Sequence, residues 1–270
     1  MTTRLTLTKH HGLGNDFLVA LDTSSLDGVD LAELARRVCD RRRGVGADGL
    51  LTAHPAEGYD ARMQLNNADG SLAEMSGNGI RCLAQAIVRH RGSFDTLHLL
   101  TGGGPRTVVV RPTDDPGRID AEVDMGRVEP LDVPSGWDAL GCDPMRPVAH
   151  LSLGNPHSVV GVDDVAAVPL QQLGELVPHV NLEIVEAGPE PHGVTMRVHE
   201  RGAGITEACG TGASAVAWAA ASWGLANPLD GEIVVHMDGG DAVVRLDHPS
   251  AGSVTLIGPA EYVGTVVIDL

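Results

Sequence analysis

Two short segments carry side chains able to move a proton. Glu207-Ala208-Cys209-Gly210-Thr211-Gly212 sets a cysteine immediately before an apolar run with helical character. The N–H groups at a helix start lack intrahelical partners and carry partial positive charge. That environment favours thiolate and lowers a thiol pKa. The same N–H groups can hold a carboxylate. A thiol and a carboxylate cradle on one turn suit removal of the proton α to an amino-acid carboxylate. The cradle fixes the substrate, and its dipole stabilises charge arriving on the carboxylate as the carbanion forms. Taken alone, the segment better fits a buried, inert cysteine beside a helix cap.

An echo of this segment occurs earlier in the chain. Ser76-Gly77-Asn78-Gly79 also reads as one polar residue, then Gly-polar-Gly, then an apolar helical run. A second echo precedes each: Gly14-Asn15-Asp16-Phe17 and Gly154-Asn155-Pro156-His157 both lead into strand-like runs. The offsets nearly agree, 133 residues from Ser76 to Cys209 and 140 from Asn15 to Asn155. Two lobes of similar plan follow, joined in the Pro/Asp/Gly-rich stretch from Arg111 to Arg118. The expected division is 1–116 and 117–261, with a last strand, about 262–270, returning to the first lobe. If the lobes face each other, residues 76 and 209 flank one α-carbon. Inversion without a cofactor needs that: one group removes a proton while the other supplies one to the opposite face.

The elements that must position these groups are short strands and a few helices. Strand-like runs are Phe17 to Leu21, Ala61 to Leu65, Thr107 to Val110, Ser158 to Val162, Thr195 to Val198 and Ile233 to Met237. Asp30 with Glu33 resembles a capping box for a helix running to about Asp40. After Gly77, residues Ile80, Leu83, Ala84, Ile87 and Val88 hold helical spacing. The helix after Gly210 is apolar nearly all round, as in helices buried on every side. The expected class is α/β (α+β), with two pseudo-symmetric lobes. Each is a curved, mostly antiparallel sheet wrapped around a central helix, with the active site in the cleft between lobes.

Composition narrows the partners. The 270 residues carry a net charge of -17, and an acidic surface repels phosphate backbones, so nucleic acid is not expected. The local exception, Arg41, Arg42 and Arg43, reads as a solvated helix end. No apolar run approaches the ~20 residues of a membrane span, and Met1 to Lys9 has no signal-peptide core. The chain is expected to be cytoplasmic. Cys39, Cys82, Cys142 and Cys209 form no CxxC and have no histidine at ligand spacing, so neither a disulfide framework nor a metal site is expected. Lys9 is the sole lysine and sits in no recognisable cofactor site. Chemistry at an amino-acid α-carbon would then run without pyridoxal phosphate, and no cofactor is expected.

Several motifs follow one another along the chain. They are His11-Gly12-Leu13-Gly14-Asn15-Asp16-Phe17, Asn67-Ala68-Asp69-Gly70-Ser71 and Met75-Ser76-Gly77-Asn78-Gly79-Ile80-Arg81-Cys82. In order after them come Gly154-Asn155-Pro156-His157, Val180-Asn181, Glu200-Arg201-Gly202-Ala203-Gly204 and Ala208-Cys209-Gly210-Thr211-Gly212. Together these motifs resemble those of the diaminopimelate epimerase family, and the resemblance spans nearly the whole chain. It implies a two-lobe fold with pseudo-twofold symmetry, interconversion of LL- and meso-diaminopimelate for lysine and peptidoglycan synthesis, and a homodimer. It implies Cys209 and residue 76 as the catalytic pair. Gly77, Asn78, Gly210 and Thr211 would hold the reacting carboxylate. Asn67, Asn155, Asn181, Glu200 and Arg201 would hold the distal amino-acid end, with Arg201 presenting its planar fork to a carboxylate. His157 and Asn15 would line the cleft. Without the resemblance, Glu200-Arg201 reads as a surface ion pair.

Three positions depart from the family pattern. The family has cysteine where Ser76 stands. An alcohol is a much weaker acid than a thiol, so two-sided proton exchange should slow. Three readings stay open: an active epimerase with a modified relay, a one-base isomerase or dehydratase on a related amino acid, and a catalytically impaired form that binds substrate. The serine is either natural or an introduced substitution. Gly49 stands where many members present a glutamine, and Ile205 where glutamate is common. Cys82 reads as core, Cys39 as a helix end and Cys142 as a loop residue.

Overall fold

Alternating burial along short runs, with glycine at the turns, gives this chain mostly strands. The computed structural model describes residues 4–248 and 252–270. They fall into two units, Met1–Val123 with Gly258–Leu270, and Asp124–Ile257. The first contains β1 (Arg4–Gly12), β2 (Asn15–Ala20), α1 (Leu31–Cys39), β3 (Gly49–His54), β4 (Ala61–Asn67), β5 (Leu72–Ala73), α2 (Gly77–Arg91), β6 (Leu97–Thr101), β7 (Gly104–Pro112) and most of β8 (Arg118–Arg127). The second continues with β9 (Glu129–Pro130), β10 (Val148–Ser152), β11 (Pro156–Gly161), α3 (Leu170–Gly174), β12 (Asn181–Ala187), β13 (Gly193–Glu200), β14 (Gly204–Thr206), α4 (Gly210–Trp223), β15 (Glu232–Met237) and β16 (Gly240–His248). The last strand, β17 (Ser253–Asp269), starts in the second unit and ends in the first.

In the first unit β1 pairs antiparallel with β2, and β2 runs parallel to β3. β3–β4 is antiparallel, β4–β6 parallel, and β6–β7–β8 antiparallel. The end of β17 pairs with the outer side of β1, Leu5 opposite Ile268. The sheet curves around α2, which packs on β1, β2, β3, β4 and β7. All residues of α2 from Gly77 to Val88 are buried. The second unit repeats the series. β10–β11 is antiparallel, β11–β12 parallel, β12–β13 antiparallel, β13–β15 parallel, and β15–β16–β17 antiparallel. Its α4 packs on β10, β11, β12, β13, β15 and β16. Strand for strand, β2 corresponds to β11, β3 to β12, β4 to β13, and α2 to α4.

The stretch Arg111 to Arg118 is the turn of the β7–β8 hairpin, with Pro112 opposite Ile119. It lies inside the first unit, and the chain passes to the second between Val123 and Asp124, within β8. A Pro/Asp/Gly-rich run marks a tight turn as readily as a linker. The helix starts follow from their caps. Asp30 accepts from the N–H groups of Ala32 and Glu33 at 2.9 and 3.2 Å. Glu33 does not complete a capping box through its side chain; its Oε2 binds Arg36 Nε at 3.0 Å. Losing the one-way cap in Asp30→Ala should lower stability by about 1 kcal/mol, read as a lower urea midpoint with unchanged slope. Among the described residues no helix is long and apolar enough to cross a membrane.

Candidate active site

Cys209 is the N-cap of α4. Its Sγ accepts from Gly212 N–H at 3.4 Å, and Thr211 Oγ1 lies 3.5 Å from the sulfur. Only 4% of Cys209 is exposed. The strands beneath α4 add a connected polar group. Asn155, just before β11, donates through Nδ2 to Thr211 Oγ1 at 3.2 Å. Its Oδ1 lies 3.0 Å from His157 Nε2, and His157 Nδ1 lies 2.6 Å from Glu183 Oε1 on β12. His157 and Glu183 are fully buried. On the neighbouring strands Asn181 Nδ2 donates to the Pro156 carbonyl at 3.1 Å. Its Oδ1 accepts from Arg201 N–H at 2.9 Å. Thr206 donates its hydroxyl hydrogen to Glu200.

These surroundings correct the expectation of a thiolate at Cys209. Burial raises the thiol well above its usual range, and the charges of Glu200 and Glu183 raise it further. The hydrogen bonds from Thr211 and Gly212 N–H pull the other way and lose. The helix start favours an anion, as its sequence position requires. Desolvation and two carboxylates outweigh it. Burial also raises the Glu183 carboxyl, against the pull of His157.

The corresponding turn in the first unit is built alike. Ser76 is the N-cap of α2, its Oγ accepting from Gly79 N–H at 3.0 Å. Asn78 Nδ2 donates to Asn15 Oδ1 at 3.1 Å, and Asn15 Nδ2 donates to Asp48 Oδ2 at 2.8 Å. Arg81 is buried one turn on. Its Nη2 donates to Asn78 Oδ1 at 2.7 Å and its Nε to the Pro259 carbonyl at 3.1 Å. Burial draws the Arg81 pKa down to about 10. Arg41 pairs with Asp16 and Asp48 at 2.7 and 2.8 Å, so it is no free basic patch. Lys9 is held by Asp16 at 2.8 Å and the Gly46 carbonyl at 2.7 Å.

The fold thus gathers Asn155, His157, Glu200, Gly210 and Thr211 around Cys209, with Asn181 on the strand beside His157, and Asn15, Gly77 and Asn78 around Ser76. Arg201 is exposed and joins this network through its backbone N–H to Asn181. Asn67, at the end of β4, donates to Ser71 Oγ at 3.0 Å and lies opposite Gly49. Gly49 is buried, and a Cβ there would lie 2.8 Å from Leu65 Cδ1 and 3.0 Å from the Asn66 carbonyl oxygen. A glutamine there would require the strands to shift. Ile205 is 36% exposed on β14. Cys82 is buried in α2, Cys39 is buried at the end of α1, and Cys142 is half-buried. Cys142 borders a cavity of about 470 Å³ in the second unit, which is lined by none of the candidate residues. Sequence reading missed Glu183 and the burial of Arg81. The signal for Glu183 was a carboxylate inside the apolar run Leu182 to Val185, two residues after Asn181 and so on the same strand face.

Comparison with known proteins gives a consistent picture. The sequence model of the family described as diaminopimelate epimerase matches residues 7–131 and 150–263. The diaminopimelate epimerase of Synechococcus elongatus is 37% identical over 98% of this chain and 99% of its own. That of Halothermothrix orenii is 36% identical over the same shares. Among solved structures, a phenazine biosynthesis protein of Bacillus anthracis superposes with TM-score 0.75 at 17% identity, covering 99% of this chain and 100% of that one. A hydroxyproline epimerase from Agrobacterium vitis gives TM-score 0.71 at 16% identity, covering 99% and 91%. At these identities the structural likeness shows the fold.

Proposed function

The chain belongs to the diaminopimelate epimerase family, and from that premise we propose that it interconverts LL- and meso-diaminopimelate by α-proton transfer, without pyridoxal phosphate. The α C–H bond breaks, its electron pair delocalises into the adjacent carboxylate, and the proton passes to an enzyme base. A second group returns a proton to the opposite face, and nothing is oxidised or reduced. The observation that carries this reading is the repeated helix start. Each unit places one proton-transfer group, Ser76 or Cys209, at the N-cap of a buried helix.

Gly77, Asn78, Gly210 and Thr211 present the helix-start N–H groups to the reacting carboxylate. Arg201, Glu200, Asn181 and Asn67 serve the distal ammonium and carboxylate. Asn155 has both ends of its amide engaged by Thr211 and His157, which supports a role in holding the α4 helix start. The sole lysine is tied to Asp16 and Gly46, which supports chemistry without a Schiff base. The same reading makes the protein a cytoplasmic homodimer with a small amino-acid substrate.

The test is proton NMR with LL- and meso-diaminopimelate, separately, in deuterium oxide. Loss of the α-hydrogen with inversion is the expected result. Exchange without inversion would move the assignment to the second reading, a one-base isomerase, which the Ser76/Cys209 asymmetry favours. A ketoacid product would show a dehydratase. Absence of exchange in both the protein and Ser76→Cys would end the proposal.

A further inference from the structure

The two units offer a comparison made within one chain. In the first, Phe17 lies opposite Gly49 across the parallel pair β2–β3, and Leu51 follows two residues on. In the second, His157 lies opposite Asn181 across β11–β12, and Glu183 follows two residues on. His157 therefore stands where Phe17 does, and Glu183 where Leu51 does. The helix starts confirm the match. A Cβ built on Gly79 would lie 3.2 Å from Ser76 Oγ and 3.6 Å from Leu51 Cδ2. A Cβ built on Gly212 would lie 3.2 Å from Cys209 Sγ and 2.8 Å from Glu183 Oε1.

An apolar pair thus suffices for this fold at this place. The second unit instead buries an imidazole and a carboxylate, and Glu183 Oε2 has no hydrogen-bond partner among the described residues. Burying such a pair rarely stabilises a protein over apolar residues of similar volume. Its position points to chemistry. Only the side-chain-free Gly212 separates the carboxylate from the sulfur, and a chain of contacts links Glu183, His157, Asn155, Thr211 and Cys209. The hydrogens along it can be followed. Asn155 Nδ2 donates to Thr211, so its Oδ1 faces His157 Nε2, which then carries a hydrogen. Nδ1 shares one further proton with Glu183. Thr211 Oγ1 accepts from Asn155, leaving its own O–H for the sulfur when the thiol proton departs.

We propose that Glu183 is a positioning residue for proton transfer at Cys209, acting with His157 to keep a proton on the sulfur between turnovers. Among the described residues, the other carboxylate that acts on Cys209 is Glu200 from β13. The remaining strands packed on α4 bring buried apolar residues, Leu151 on β10, Val235 on β15 and Val244 on β16. The inference rests on Cys209 being the proton-transfer group of the proposed function, and its test reads the thiol directly.

The experiment is alkylation of the full-length protein by iodoacetamide across pH, with the Cys209 peptide followed by mass spectrometry. In Glu183→Gln, nearly isosteric but uncharged, the midpoint for Cys209 is expected to fall by about one pH unit. The kcat for diaminopimelate should drop about tenfold, with KM unchanged within about twofold. A purely structural role would leave the alkylation midpoint in place. The double variant His157→Phe with Glu183→Leu copies the pair of the first unit and should shift the midpoint in the same direction. An unchanged or raised midpoint overturns the proposal. So does failure of both variants to fold, since the fold itself would then require the polar pair. A shifted midpoint in a protein that leaves diaminopimelate untouched would keep this inference and refute the substrate assignment.

Discussion

Cysteine in place of Ser76 is expected to raise the rate of α-hydrogen exchange with inversion by about 10²–10⁴-fold, the range that a competent general acid or base contributes. The reason lies in what each helix start can ionise. Ser76 Oγ and Cys209 Sγ occupy the same N-cap position and accept the same N–H bond, at 3.0 and 3.4 Å, so a thiol fits where the hydroxyl stands. Their surroundings differ. Glu200 and Glu183 oppose a negative charge on Cys209. The turn after Ser76 instead carries the buried guanidinium of Arg81, bonded to Asn78. A thiol at 76 would share its helix turn with Asn78, which binds that cation, and it is expected to ionise more readily than Cys209, giving a base to complement the acid. Side-by-side NMR exchange measurements on the two proteins provide the check. An equal rate in both would remove residue 76 from the proton path.

Cys209→Ala should abolish exchange, by about 10³-fold or more, while diaminopimelate still binds. Gly210 and Thr211 would keep their helix-start N–H groups. The sulfur is a weak cap, and its loss should cost no more than about 1 kcal/mol of stability. Calorimetric titration with the substrate and a urea curve separate the two effects. Exchange that persists in Cys209→Ala would make this cysteine a buried core residue, the bland reading its 4% exposure also allows. Loss of binding along with exchange would show that the sulfur builds the carboxylate cradle.

Much of the fold was legible because it rests on local rules. Asp30 marked the start of α1, glycine spacing marked the starts of α2 and α4, and the repeated Gly-Asn turns marked β2 and β11. The repeat between Ser76 and Cys209 was visible because both turns need the same Gly-polar-Gly backbone. What lies beneath the helices was not visible. Helix position says that a thiol at an N-cap is favoured as an anion, and it says nothing of the strands that meet it. Parallel pairing of β11 with β12 brings Glu183 beside His157, and pairing partners distant in sequence leave no local signature. The state of Cys209 followed from those contacts. The same limit applied to Arg81, a charged residue in the α2 segment whose full burial the helical spacing does not reveal.

The last strand has a bearing on how the chain is made. Synthesis delivers β1 first, yet its outer partner is the end of β17, with Leu5 opposite Ile268. Every strand that completes the second unit is translated before those final residues. The amino-terminal unit, begun first on the ribosome, is therefore the last to be finished. Until then β1 offers a row of unpaired N–H and C=O groups to any passing strand. Pairing of β17 with β1 is thus the step that seals the first sheet, and it joins strands far apart in sequence.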